Sequence, residues 1–166
     1  MKKQFTVNLL ILAGLIVVVS SFSAIAEIVQ KIPVAKGLAS HPVNGGHCLI
    51  SDGEYQYLAF YDGDHQLTVA KRRLSDTDWE FAKLPEKVGW DTHNKILLFM
   101  DRAGYLHITG NMHCAPLRYY RTEKPRDIQS FKGIHTWTGR YEDRVTYPNL
   151  LKLRDGSCHI MYRDGG

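Results

Sequence analysis

The sequence predicts an all-β chain, and three observations carry that reading. From Gly46 onward, short extended runs rich in Tyr, Phe, Val, Leu and Ile alternate with Gly-containing turn signals. No window of a dozen residues shows the apolar period of about 3.6 residues that an amphipathic helix requires. The turns also recur: Gly53, Gly104 and Gly156 stand 51 and 52 residues apart.

Each unit reads the same way. In the first, residues 48–50 run into the Asp52-Gly53 turn, residues 55–61 follow, and after Asp62-Gly63 come 67–71 and 79–83. In the second, residues 96–100 meet the turn 101–104, then 105–109, 117–121 and the short Ser130-Phe131 stretch. The third has 150–153, the Asp155-Gly156 turn and 158–162, and is cut off after its second strand. About four short strands per period of roughly 50 residues is the pattern of a propeller blade. Propellers close with about four to eight blades. Residues 47–166 are therefore expected to be an incomplete β-propeller of two to three blades, truncated at the C-terminus. The alternative is a small twisted β domain complete in itself.

Before this domain the chain has a different character. Lys2 and Lys3 precede an apolar run over 7–19, and Ala24-Ile25-Ala26 supplies small residues at a cleavage position. That order predicts an export signal over 1–26 and a secreted or periplasmic product. A retained anchor is the alternative, although the run is short of the roughly 20 residues that span a bilayer. In either case membrane contact is confined to this segment. Residues 27–46, with Pro33, Gly37, Pro42 and Gly45-Gly46, read as a lead-in.

Composition narrows the function classes. The 166 residues are 44% hydrophobic and 11% aromatic, enough for a packed core and unlike a disordered tail. Without residues 1–26, 19 basic groups face 17 acidic ones, and Lys71-Arg72-Arg73 is the one basic block. Nothing here points to nucleic acid. Three cysteines, Cys48, Cys114 and Cys158, allow at most one internal bridge and lack zinc-site spacing. They are read as buried small hydrophobes.

The repeat also places candidate chemistry. His47, His93 and Tyr147 each stand two or three residues before the first strand of their unit. Tyr61-Asp62, Met112-His113 and Tyr162-Arg163 stand where the paired second strands finish. A hairpin returns the chain to the level where it started, so the two ends of one hairpin are neighbours opposite the tight turn. His93 and His113 thus form one pair, Tyr147 and Arg163 another, and adjacent blades set the pairs side by side. Such a cluster suits proton transfer and anion binding. His107 and His159 fall inside strands and face either core or channel; His41, His65 and His135 fall in loops. Trp79 reads as packing, whereas Trp90 and Trp137 suit packing or sugar stacking equally.

Three stretches, "WDTHNKILLFMDRAGYLHITGNMH", "PLRYYRTEKPRDIQSF" and "VTYPNLLKLRDGSCHIMYRDGG", resemble the BNR-repeat-containing family of the BNR-4 type. The resemblance covers about 46–166. It implies a seven-bladed propeller and, through the exported ulvan lyases of that family, an anionic polysaccharide substrate carrying rhamnose 3-sulfate and uronic acids. By motif it implies catalytic positions at His93 of "WDTHN", His113 of "NMH", Tyr147 of "TYP" and Arg163 of "YRDG".

In a uronate lyase the C5 proton is removed and the C4–O bond breaks. Arg163 suits the carboxylate, because its planar fork stays charged and matches two oxygens. Tyr147 suits the acid or acid/base role, with His93 and His113 interchangeable as base and positioner. This scheme requires no metal and no cofactor. A sialidase-like glycoside hydrolase, needing a carboxylate pair across a cleft for which Asp91, Asp101, Asp155 and Asp164 are available, and a non-catalytic carbohydrate-binding propeller remain open. So does the activity of this stretch alone, since the later blades would supply the far wall of the groove.

Overall fold

The computed structural model describes residues 32–35, 37–38, 48–89 and 94–166. The segment read as a signal, most of the lead-in, His41, His47, Trp90, Asp91 and His93 lie outside the described residues. Ile32–Gly166 forms one compact unit. It is all-β, built from three antiparallel sheets in chain order: two blades and the inner hairpin of a third.

The first blade contains β1 (Gly37–Leu38), β2 (Leu49–Ser51), β3 (Tyr55–Asp62), β4 (Gln66–Arg73) and β5 (Glu80–Lys87). Strands β3, β4 and β5 pair in sequence, while β1 and β2 each pair with β3. The lead-in thus contributes a two-residue strand that its composition did not announce. The second blade runs β6 (Ile96–Met100), β7 (Leu106–Gly110), β8 (Tyr119–Thr122) and β9 (Phe131–Ile134), each paired with the next. The third sheet is the hairpin β10 (Val145–Lys152) and β11 (Cys158–Asp164).

The recurring glycines close the tight turns as expected. Gly53, Gly104 and Gly156 have φ of 92°, 87° and 86°, a region that glycine occupies without Cβ strain. The aspartate of each turn caps it. Asp52 accepts the N–H of Tyr55 at 2.8 Å, Asp101 that of Tyr105 at 2.9 Å, and Asp155 that of Ser157 at 2.9 Å. The Asp62-Gly63 turn differs: its left-handed residue is His65, at φ 63°.

Alternation along β6 joins the sheets. Ile96 and Leu98 pack with Tyr57, Ala59, Val69 and Leu84 of the first blade. Leu97 and Phe99 point the other way, onto Leu150, Cys158 and Ile160 of the third sheet. A strand buried on both faces reads as a continuous apolar run, and Ile-Leu-Leu-Phe-Met is one. Each leucine so buried contributes about 1.5–3 kcal/mol.

Two expectations change here. Cys114 is exposed, and Cys48 and Cys158 are only half-buried; all three are free, so they are not core hydrophobes. Strand β10 begins at Val145, five residues before the expected start, because Tyr147-Pro148 is carried in the strand as a bulge.

The loop between β9 and β10 is organised by Glu142. Its carboxylate accepts the N–H groups of Trp137, Thr138 and Gly139 and the hydroxyl of Thr136. Partial burial pushes this carboxyl up, but those donors outweigh it and hold it at about 2, below its ordinary 4.5. A folded value below the unfolded one stabilises above 4.5 and is lost as pH falls toward 2. Trp137 packs on Tyr119 with ring centroids 4.5 Å apart. Acidification across that window is expected to loosen the loop and change Trp137 fluorescence. Glu142→Gln should lack the transition; identical titrations of the two proteins would refute this account.

Candidate functional site

The site lies at the end of the hairpins opposite the glycine turns, where the second blade meets the third sheet. Beyond β7 the chain leaves its partner at Gly110 and enters the segment carrying His113. Asn111 and Cys114 flank it with φ of 57° and 51°. Asparagine tolerates this left-handed conformation and cysteine does so rarely, so the surroundings must hold it.

They hold it from both sides. Asn111 Nδ2 donates to the Lys87 carbonyl at 2.9 Å and to Glu86 Oε2 at 3.3 Å, both on the first blade. Arg118 pairs with Glu86 at 3.1 Å and donates to the Asn111 carbonyl; the Tyr120 hydroxyl donates to Glu86 at 2.6 Å. Toward the third sheet, the Cys114 N–H donates to Thr146 Oγ1 at 2.7 Å. Ala115 and Val145 exchange backbone hydrogen bonds of 3.2 and 2.8 Å. His113 is thereby set beside the first residues of β10.

Tyr147 stands at the bulge. Thr146 is opposite Arg163 and Asn149 opposite Met161, so β10 carries one residue more than β11 between these pairs. The extra residue re-aims its side chain. Tyr147 has φ 52° and precedes Pro148, a strained combination for a bulky residue, of order 1–3 kcal/mol. The strand accommodates Pro148 because a bulge needs no ladder N–H there.

The side chains converge. The His113 and Tyr147 rings lie nearly parallel, with centroids 6.1 Å apart and planes inclined by 20°. Arg163 Cζ lies 4.8 Å from the Tyr147 centroid, and its Nε donates to the Gly165 carbonyl at 3.3 Å. Tyr147 is 36% exposed, so the cluster opens to solvent. Three of the four candidate residues are therefore together. Tyr147 and Arg163 reach this place from within strands rather than from beyond their ends.

Lys95 was not among the candidates, yet its Nζ lies 5.4 Å from the same Tyr147 centroid. Its position, just before β6, carried no signal in the repeat pattern. Glu86 and Asn111, which hold the His113 segment, left no mark in the repeat pattern.

Several other described candidates have structural roles. Tyr61 is 3% exposed, and Asp62 is fixed by Lys83 at 2.9 Å. His107 faces the core. Its Nδ1 lies 2.6 Å from the Tyr119 hydroxyl and its Nε2 3.2 Å from Asp101. Burial lowers its pKa although Asp101 opposes the shift, and burial pushes Tyr119 up to about 12. Asp101 and Asp155 cap turns, and Asp164 pairs with Arg144 at 3.5 Å.

An open groove of about 760 Å³ lies elsewhere, lined by Trp137, Arg140, Tyr141, Leu151, Met161 and Tyr162. It borders β11, which pairs on one side with β10 and on the other with no strand among the described residues. Cys158, His159 and Asp164 also line the groove, but none of His113, Tyr147 and Arg163 does.

A family model described as "BNR repeat-containing family member" matches residues 55–166. Among solved structures, a polysaccharide lyase PL25 ulvan lyase bound to -[GlcA(1-4)Rha3S]- is similar at 16% identity and a TM-score of 0.58, covering 80% of this chain and 34% of that one. A second PL25 ulvan lyase structure gives 17%, 0.59, 80% and 34%. The polysaccharide lyase Uly1 gives 17%, 0.63, 87% and 40%. At such identities the likeness establishes the fold, and this chain spans 34–40% of the length of those structures. Comparison with curated proteins yields no match.

Proposed function

Because the chain belongs to the BNR repeat-containing family, and its fold is that of a polysaccharide lyase propeller, we propose that its site serves β-elimination on a sulfated, uronate-containing polysaccharide. The observation that carries this reading is the Tyr147 phenol bracketed by His113 and Arg163.

The chemistry follows from those groups. A base, His113 or His93, takes the C5 proton of the uronate, and the electron pair left behind forms the C4=C5 double bond. The C4–O pair departs with the leaving oxygen, which receives a proton from Tyr147. Charge developing on the carboxylate is met by Arg163, which the Gly165 carbonyl anchors through Nε. Hydrolysis has less support: three of the four aspartates considered for it are engaged in turns or an ion pair.

Incubation with a polysaccharide of alternating glucuronate and rhamnose 3-sulfate is expected to produce unsaturated uronate, followed by its ultraviolet absorbance. Arg163→Ala should lower kcat/KM by about 100-fold. New reducing ends without that absorbance would indicate hydrolysis instead, and binding without cleavage would indicate a carbohydrate-binding module.

A further inference from the structure

Lys95 is half-buried immediately before β6. Its chain position is tightly set, since a Cβ on Gly110 would meet the Lys95 carbonyl at 2.7 Å. Its ammonium approaches the Tyr147 ring and pairs with no carboxylate among the described residues. Arg163, on the same ring, likewise has no acidic partner among them. Two cations lie within 6 Å of one ring centroid, and neither pairs with an acid among the described residues. Three other cations meet acids, Lys83 with Asp62, Arg126 with Asp52 and Arg118 with Glu86. Lys152 stands singly over Phe99, and Lys71 shares Tyr55 with Arg73, which pairs with Glu54; Tyr147 carries two cations without a described acid.

We infer that Lys95 and Arg163 form a two-cation receptor for a stretch of polysaccharide carrying two anionic groups on neighbouring sugars. This inference rests on the polysaccharide reading above and names the feature of the substrate that Lys95 recognises. The two cations divide the work by shape. A guanidinium is a planar fork that matches a carboxylate with two parallel hydrogen bonds. An ammonium is a compact point charge with three rotatable donors, suited to the tetrahedral oxygens of a sulfate ester. Arg163 takes the uronate carboxylate and Lys95 the sulfate of the adjoining sugar. Lys95 is a specificity residue, and its interaction with Tyr147 holds it in place before substrate arrives.

The test compares Lys95→Ala and Lys95→Arg with the parent chain on two oligosaccharides. One is the glucuronate–rhamnose 3-sulfate oligomer; the other is the same oligomer after chemical desulfation, which keeps its carboxylates. Binding is read by calorimetry and cleavage by the absorbance of unsaturated uronate. Lys95→Ala should weaken binding and raise KM about 10-fold on the sulfated oligomer, affect the desulfated one far less, and be largely rescued by arginine. Equal losses on both oligomers, or no loss on either, overturn the receptor. Lys95-dependent binding of the sulfated oligomer without product keeps the receptor and removes the lyase reading. Product formation indifferent to Lys95 does the reverse, and absence of both binding and product overturns both.

Discussion

Tyr147→Phe is expected to reduce β-elimination by roughly three orders of magnitude, within the range lost when a positioned acid or base is removed. The substitution deletes one hydroxyl and keeps the ring. The nearly parallel stack with His113 and the approach of Lys95 and Arg163 to the ring should therefore persist. Because the side chain is 36% exposed, the melting temperature should change little. The signature is thus a collapse of kcat with KM and stability nearly unchanged, read from unsaturated product and a thermal melt. Activity within a few-fold of the parent would mean that the leaving oxygen takes its proton from another group.

The second large effect concerns stability. Glu86 binds the second blade to the first: its carboxylate meets Tyr120 at 2.6 Å, Arg118 at 3.1 Å and Asn111 at 3.3 Å. Its side chain is 16% exposed. Removing one partner from such a network leaves the others desolvated and unpaired. Glu86→Ala is expected to cost about 3 kcal/mol, or roughly 10 °C in Tm for a unit of this size. Glu86→Gln keeps an acceptor for Tyr120 and should cost less. The same change should reach the site, because Arg118 and Asn111 fix the left-handed turn before His113. Unaltered melting of Glu86→Ala would show that apolar contacts alone hold the blades together.

How much of this was legible depends on the range of the interaction involved. The glycine turns were readable because each is a local device: an aspartate, a short loop and a residue at positive φ, repeated at a constant period. Strand β6 was readable to the residue because a five-residue apolar run bounded by a turn has few other conformations. Strand β10 was not, since its start contains a Pro that argues against a strand until the bulge is known. The cysteines were misjudged for a related reason. Composition says that cysteine is often buried, but Cys114 sits in a left-handed turn that points it outward.

The candidate site divides along the same line. His113, Tyr147 and Arg163 could be singled out because hairpin geometry makes residues distant in sequence neighbours at one rim. By itself the sequence determined the all-β class, the period and the rim that each hairpin end occupies, since these follow from local pairing and turn chemistry. Tertiary structure alone decided that Lys95 joins the cluster, that Glu86 braces it from another blade, and that Tyr147 enters it through a bulge. Those placements arise where separate sheets pack together, and packing between sheets depends on side chains that no local pattern brings into register.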